Sequence, residues 1–316
     1  MRRRIFPALL ALVLLLSGCA VPASSPGDGR LQVVCTLFPY YDFVRQIGGD
    51  DVNAVLLIPA GRETHSFEPT PLDVITLSRA DVFICNGGES ESWVEDILSS
   101  SGEKIGTVLS MMDYAEALPE EIMEGMQVRE EEDEDEESGE TEYDEHIWTS
   151  PVVVMELCRV IAETLAEADP AHADAFQARL DSYLSQLEDL DHALRQIAEG
   201  GRRRILIFGD RFPLLYFCRT YGLDYRAAFH GCATDTEPSL ATLKYLIDKV
   251  REEDIPVIYT IELSSRKIAE AIADTTGARV LTFQTCQTLS REDLDAGETY
   301  LSLMWRNAEV LKEGLQ

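Results

Sequence analysis

Leu180-Asp-Ser-Tyr183-Leu184-Ser-Gln-Leu187-Glu-Asp-Leu190-Asp-His-Ala-Leu194 decides how this chain is built. Its apolar residues recur at three- and four-residue intervals, the period of a helix with one buried stripe. Asp169-Pro170 supplies a start signal and Gly200-Gly201 a stop. The pattern therefore predicts one helix from Ala171 to Ala198. At 1.5 Å per residue such a helix is about 42 Å long, a strut between two domains.

On either side of the strut, short apolar runs alternate with helical patterns. The strand candidates before it are Leu31–Phe38, Val52–Ile58, Val82–Cys85 and Lys104–Leu109. Those after it are Ile205–Phe208, Tyr225–Phe229, Val257–Ile261 and Val280–Phe283, and Leu294–Leu315 reads as a last helix. Strand–helix alternation implies parallel sheets covered on both faces. The expected fold class is α/β: two domains of parallel β-sheet with flanking helices, bridged by one long rigid helix. The domains are expected at 31–170 and 201–316, with the linking helix at 171–200.

The start of the chain carries an address. Arg2, Arg3 and Arg4 precede an apolar run from Ile5 to Leu16 and then Leu16-Ser-Gly-Cys19. A basic start, a short apolar core and small residues before a cleavage point make a secretory signal. The Cys after the small residues predicts cleavage before Cys19 and lipidation of its thiol. Residues 1–18 are thus expected to be a lipoprotein signal peptide. Residues 19–30, rich in Pro, Ser and Gly, are expected to be a flexible tether. The chain is expected to be exported and held by lipid at the outer face of the cytoplasmic membrane, or on its periplasmic side.

Net charge is −30 over 316 residues. So acidic a chain is a poor ligand for nucleic acid or an anionic membrane and favours cationic partners. From Glu130 to Glu145, twelve of sixteen residues are Glu or Asp. The acidic stretch, 129–145, reads as a disordered surface loop that collects cations loosely. Beyond Cys19, the widely spaced Cys35, Cys85, Cys158 and Cys218 read as buried small hydrophobes. Cys232 and Cys286 fall in polar stretches, where a disulfide is a possible pairing in an oxidising compartment.

Five His are present. His172 and His192 read as surface residues of the strut. His65 follows the second strand, His146 precedes a helix, and His230 directly follows Tyr225–Phe229. Asp210, Glu262 and Gln284 also fall just beyond predicted strands. In open parallel sheets the carboxyl edge is where ligands bind, and two such edges facing each other form a cleft. Imidazoles and carboxylates gathered there suit a divalent metal of the zinc or manganese kind.

Several motifs give this constellation a context. Thr36-Leu-Phe-Pro-Tyr-Tyr41 with Ile47-Gly-Gly-Asp50, Pro59-Ala-Gly-Arg-Glu-Thr-His-Ser-Phe-Glu-Pro-Thr-Pro71 and Asp144-Glu-His-Ile-Trp-Thr-Ser-Pro151 span the first half. Glu237-Pro-Ser239, Tyr259–Glu262 and Tyr300-Leu-Ser-Leu-Met-Trp-Arg-Asn307 span the second. Together they resemble the metal-binding lipoproteins that serve zinc and manganese ABC importers. The resemblance covers nearly all of the chain after residue 18 and implies the same two-domain fold, with little domain motion on binding. It implies His65 and His146 as metal ligands. It also implies a third ligand near Phe208-Gly-Asp-Arg-Phe-Pro213, where Asp210 is the substitute. The family's fourth position holds Gln284, a weak ligand. His230 offers an imidazole instead, and Glu262 is either a ligand or a partner orienting one.

The expected function is a monomeric extracytoplasmic receptor that binds zinc between its domains and delivers it to a membrane-embedded ABC permease. Manganese is the alternative cargo, and a metal-independent adhesin or structural lipoprotein the alternative role. An enzyme is not expected: no HExxH and no nucleophile elbow occurs in the sequence.

Overall fold

The computed structural model describes residues 29–62, 64, 67–101, 105–127, 142–231, 233 and 237–316. The first lobe runs β1 (Leu31–Cys35), α1 (Phe38–Gly48), β2 (Val52–Leu56), α2 (Pro71–Leu77), β3 (Val82–Cys85), α3 (Trp93–Ser101) and β4 (Thr107–Ser110). Two helices follow, α4 (Pro151–Ala168) and α5 (Ala173–Gly200). The second lobe runs β5 (Ile205–Phe212), α6 (Leu215–Tyr221), β6 (Asp224–His230), α7 (Leu240–Glu252), β7 (Val257–Ile261), α8 (Lys267–Thr276), β8 (Arg279–Phe283), α9 (Arg291–Ala296) and α10 (Tyr300–Leu315).

Among the described residues the strands form two four-stranded sheets, ordered β2-β1-β3-β4 and β6-β5-β7-β8, and every pairing in them is parallel. In both sheets the chain reverses its winding after the second strand. The crevice at that reversal opens between β1 and β3 in one lobe and between β5 and β7 in the other. Val33, Val82, Ile84, Leu206, Phe208 and Val257 are buried within these sheets, as strands covered on both faces require.

Local chemistry sets the helix starts. The Thr70 side chain accepts from Asp73 N–H while Asp73 accepts from Thr70 N–H, a capping box before Pro71. Ser150 caps α4 ahead of Pro151, and Ser239 caps α7 by accepting from Thr242 N–H at 3.1 Å. The expected final helix 294–315 is two helices, because Gly297 sits in the left-handed region and ends α9. The strand expected to end at Phe208 continues to Phe212 through an irregularity between Phe208 and Arg211. Asp210 therefore lies within β5 rather than beyond it.

The strut α5 buries Phe176, Leu180, Tyr183, Leu187, Leu190, Leu194 and Ala198. This stripe packs on α1, α4 and α10, and one hydrophobic core runs through both lobes. Polar ties cross the same seam. Tyr300 donates its N–H to Asp42 Oδ2 at 2.8 Å and its hydroxyl to the Trp148 carbonyl at 2.9 Å. Trp148 Nε1 in turn donates to the Thr285 carbonyl at 3.0 Å. Among the described residues no helix is long and apolar enough to cross a membrane.

Candidate metal centre

The approach to His146 is built from the end of β3. Asn86-Gly87-Gly88 leaves the strand, with Gly88 at φ +86. A Cβ on Gly88 would lie 2.3 Å from Glu145 Oε1, so only glycine permits this backbone and this close approach. Asn86 Nδ2 donates to the Glu145 carbonyl at 3.0 Å, and the Tyr40 hydroxyl donates to Asn86 Oδ1. Ser90 donates its N–H to Glu145 Oε1 at 3.1 Å and its hydroxyl to Oε2. Glu91, itself buried, accepts from Asn86 N–H at 2.7 Å and Gly87 N–H at 3.1 Å. Burial pushes its carboxyl up to about 7. The peptide leading into His146 is thus held by a buried polar network on the first lobe.

His146 is fully buried. Its N–H donates to Asp144 Oδ1 at 2.8 Å, and its Nδ1 lies 3.2 Å from the same oxygen. The Trp148 ring meets the imidazole edge-on, 5.4 Å between centroids. Burial opposes protonation of the ring, but the carboxylates of Asp144, Glu145 and Glu120 outweigh it and hold the pKa above the ordinary imidazole value. A carboxylate at Nδ1 selects the tautomer with its proton there, which makes Nε2 the acceptor nitrogen of the neutral ring.

The second lobe closes on this residue from β6. A Cβ on Gly231 would lie 3.2 Å from His146 Cε1, so the backbone just past β6 abuts the imidazole. His230, the last residue of β6, places Nδ1 3.0 Å from Glu120 Oε1. The His146 imidazole thus abuts the residue next to His230, and each of the two imidazoles has a carboxylate at Nδ1.

The other expected ligands have different partners. Asp210 accepts four hydrogen bonds: Oδ2 from Thr260 Oγ1 at 2.6 Å and Ile261 N–H at 3.1 Å, Oδ1 from Ser264 Oγ and Arg211 N–H, both at 2.9 Å. It is a knot fastening the ends of β5 and β7, with little lone-pair capacity left for a metal. Glu262 accepts from Thr285 N–H at 2.7 Å and from the Thr285 hydroxyl at 2.5 Å. It ties the loop after β7 to the loop after β8, and burial raises its carboxyl to about 7. The Gln284 backbone is clamped by Asn307, which accepts its N–H and donates to its carbonyl, both at 2.7 Å.

Cys286, in the loop after β8, is buried in the core as a free thiol, and burial raises its pKa well above the ordinary value. Cys232, its expected partner, lies outside the described residues, as do His65, Cys19 and the acidic run 128–141. Cys35, Cys85, Cys158 and Cys218 are buried free thiols. On the strut, His192 is exposed, and His172 is paired to Asp169 at 2.6 Å.

Among the described residues no three His, Cys, Asp or Glu side chains converge as a metal-holding group. What they supply is two imidazoles, His146 and His230, each with a carboxylate at Nδ1. Imidazole nitrogens backed by carboxylates are a donor set that fits zinc. Sequence reasoning passed over Asn86, Glu91, Asp144 and Glu120. Asp144 had a signal, being two residues before His146. Glu120 had none, because it reaches the site only through tertiary pairing.

Comparison with known proteins gives this geometry its relatives. A family model described as zinc-uptake complex component A, periplasmic, matches residues 33–314. The zinc-binding lipoprotein AdcA of Streptococcus pneumoniae is 30% identical over 306 residues, 96% of this chain and 60% of that protein. This chain thus spans less than two thirds of that relative's length. The zinc-bound ZnuA-like domain of AdcA superposes with a TM-score of 0.74 at 28% identity, covering 91% of this chain and 99% of that one. The high-affinity zinc uptake system protein ZnuA of Bacillus subtilis is 32% identical over 294 residues, 93% of this chain and 90% of that protein. The laminin-binding protein Lmb of Streptococcus agalactiae, described as having adhesin and metal-transporting activity, superposes with a TM-score of 0.75 at 26% identity. That match covers 90% of this chain and all of the other.

Proposed function

Because this chain belongs to the zinc-uptake complex component A family, we propose that it is an extracytoplasmic receptor that takes up one zinc ion between its lobes and presents it to an ABC permease. The observation that carries this reading is His146: a fully buried imidazole at the lobe seam with a carboxylate at Nδ1. Such an imidazole has its Nδ1 held by a carboxylate, directs Nε2 to a metal and is shielded from water.

The ligands are His65, His146 and His230. Asp144 orients His146, while Asp210 and Glu262 brace the second-lobe loops and Gln284 contributes no charge. An imidazole-rich set favours zinc over manganese, since affinity at mixed N/O sites rises in that order. The chain acts as a binding receptor, not an enzyme. Residues 1–18 direct export, Cys19 carries the lipid, 19–30 form the tether, and the lobes at 31–170 and 201–316 work as a monomer.

The test is elemental analysis of the chain from Cys19 to Gln316, purified without chelator, followed by zinc–manganese competition. About one tightly held zinc per chain is expected, lost in a His65→Ala/His146→Ala double variant. Preferred retention of manganese would change the cargo. A chain with no tight metal, that binds a host matrix protein regardless of zinc, would instead be an adhesin, the other activity described for Lmb.

A further inference from the structure

The segment that leaves the first lobe after β4 crosses to the second lobe and lies against it. Residues 118–120 pair antiparallel with 142–144: Asp144 donates its N–H to the Leu118 carbonyl and Glu120 donates its N–H to the Glu142 carbonyl, both at 2.9 Å. The Tyr216 hydroxyl joins the two strands, accepting from Leu118 N–H at 3.0 Å and donating to the Asp144 carbonyl at 3.1 Å. Beyond Glu120 the strap is fastened to the second lobe. Glu121 pairs with Arg219 and accepts from the Tyr225 hydroxyl, and Gln127 N–H donates to the Ala228 carbonyl of β6 at 2.9 Å. Glu120 is therefore held in place on both sides.

We propose that Glu120 is a positioning residue for metal capture, its carboxylate accepting the Nδ1 proton of His230 so that Nε2 is the nitrogen offered to the ion. This rests on the receptor reading above. The pair is 3.0 Å apart, and the two side chains are only 15% and 9% exposed, so water competes weakly for the bond. The arrangement repeats the one at His146, where Asp144 meets Nδ1 at 3.2 Å. In a neutral imidazole the hydrogen bond made by one nitrogen decides which nitrogen carries the proton. Two imidazoles backed in the same way present the same nitrogen. The strap thus carries part of the site across from the first lobe.

Two readouts test this. Imidazole ¹⁵N spectra of the metal-free full-length protein report the His230 tautomer directly, and zinc competition titration reports affinity. In the wild type, His230 is expected as the Nδ1–H tautomer. Glu120→Ala is expected to release it to a mixture and to lower zinc affinity about 10- to 100-fold. Glu120→Gln keeps an acceptor and is expected to retain the tautomer and most of the affinity. Glu156→Ala, which removes an exposed ion pair with Arg159 on α4, serves as the fold control and should leave both readouts near wild type. An unchanged tautomer in Glu120→Ala overturns the proposal. A changed tautomer with unchanged affinity overturns it too, by removing His230 from the ligands while leaving the receptor reading intact. Failure of the wild type to bind zinc would sink the receptor reading instead, and the spectra would still decide what Glu120 does to His230.

Discussion

At the scale of single residues, the buried carboxyl of Glu91 holds the loop that delivers His146. Burial raises its pKa from an ordinary 4.5 to about 7, so the folded state binds this proton more tightly than the unfolded chain does. A raised pKa contributes stability that is fully present below the unfolded value of 4.5 and is lost as pH rises through about 7. Glu91→Gln, neutral at every pH, removes that dependence. Between about pH 4.5 and pH 8 its unfolding free energy should gain on the order of 3 kcal/mol relative to wild type, at about 1.4 kcal/mol per pKa unit. Urea unfolding across that range measures it, and a difference that does not move with pH would remove Glu91 from the titrating groups.

Among elements, the strut matters most. Its buried stripe meets helices from both lobes, so a cavity there cannot be relieved by shifting one lobe alone. Leu187 and Leu190 are fully buried. Leu187→Ala should destabilise the fold by about 2–5 kcal/mol through lost burial and the cavity left behind. Thermal melting of the metal-free chain checks this, and a cost under about 1 kcal/mol would mean that the strut repacks freely. The predicted helix 171–198 and the observed Ala173–Gly200 differ only at their ends, because a long amphipathic period is a strong local signal. The predicted helix 294–315 hid a break, since Gly297 and the Thr299 cap interrupt a pattern that stays apolar across them.

For the whole molecule, the shared core, the Asp42–Tyr300 bond and the Trp148–Thr285 bond tie the lobes together at their seam. Wide closure would break all of these at once, so zinc should enter with local rearrangement of the loops and little lobe rotation. Small-angle scattering with and without zinc should give the same radius of gyration within error. A clear contraction on adding zinc would show that the seam is a hinge.

The sequence by itself determined the architecture. Helical period, strand runs and turn signals are local, and each is written within a few residues of where it acts. It also pointed to His230, at the carboxyl end of a predicted strand, and to His146, through the motif Asp144–Pro151 ahead of a helix. The tertiary structure decided what those residues do. Asp210 reads in the chain as lying beyond its strand, but β5 continues past it, and Thr260, Ile261 and Ser264 donate to its oxygens. Cys286 is the loop residue the sequence suggests, but tertiary packing buries its thiol. Glu120 lies 110 positions from His230 and carried no motif, yet strap pairing brings them to 3.0 Å. Hydrogen-bond saturation, burial and long-range contact depend on which distant segments meet, and no local pattern encodes that.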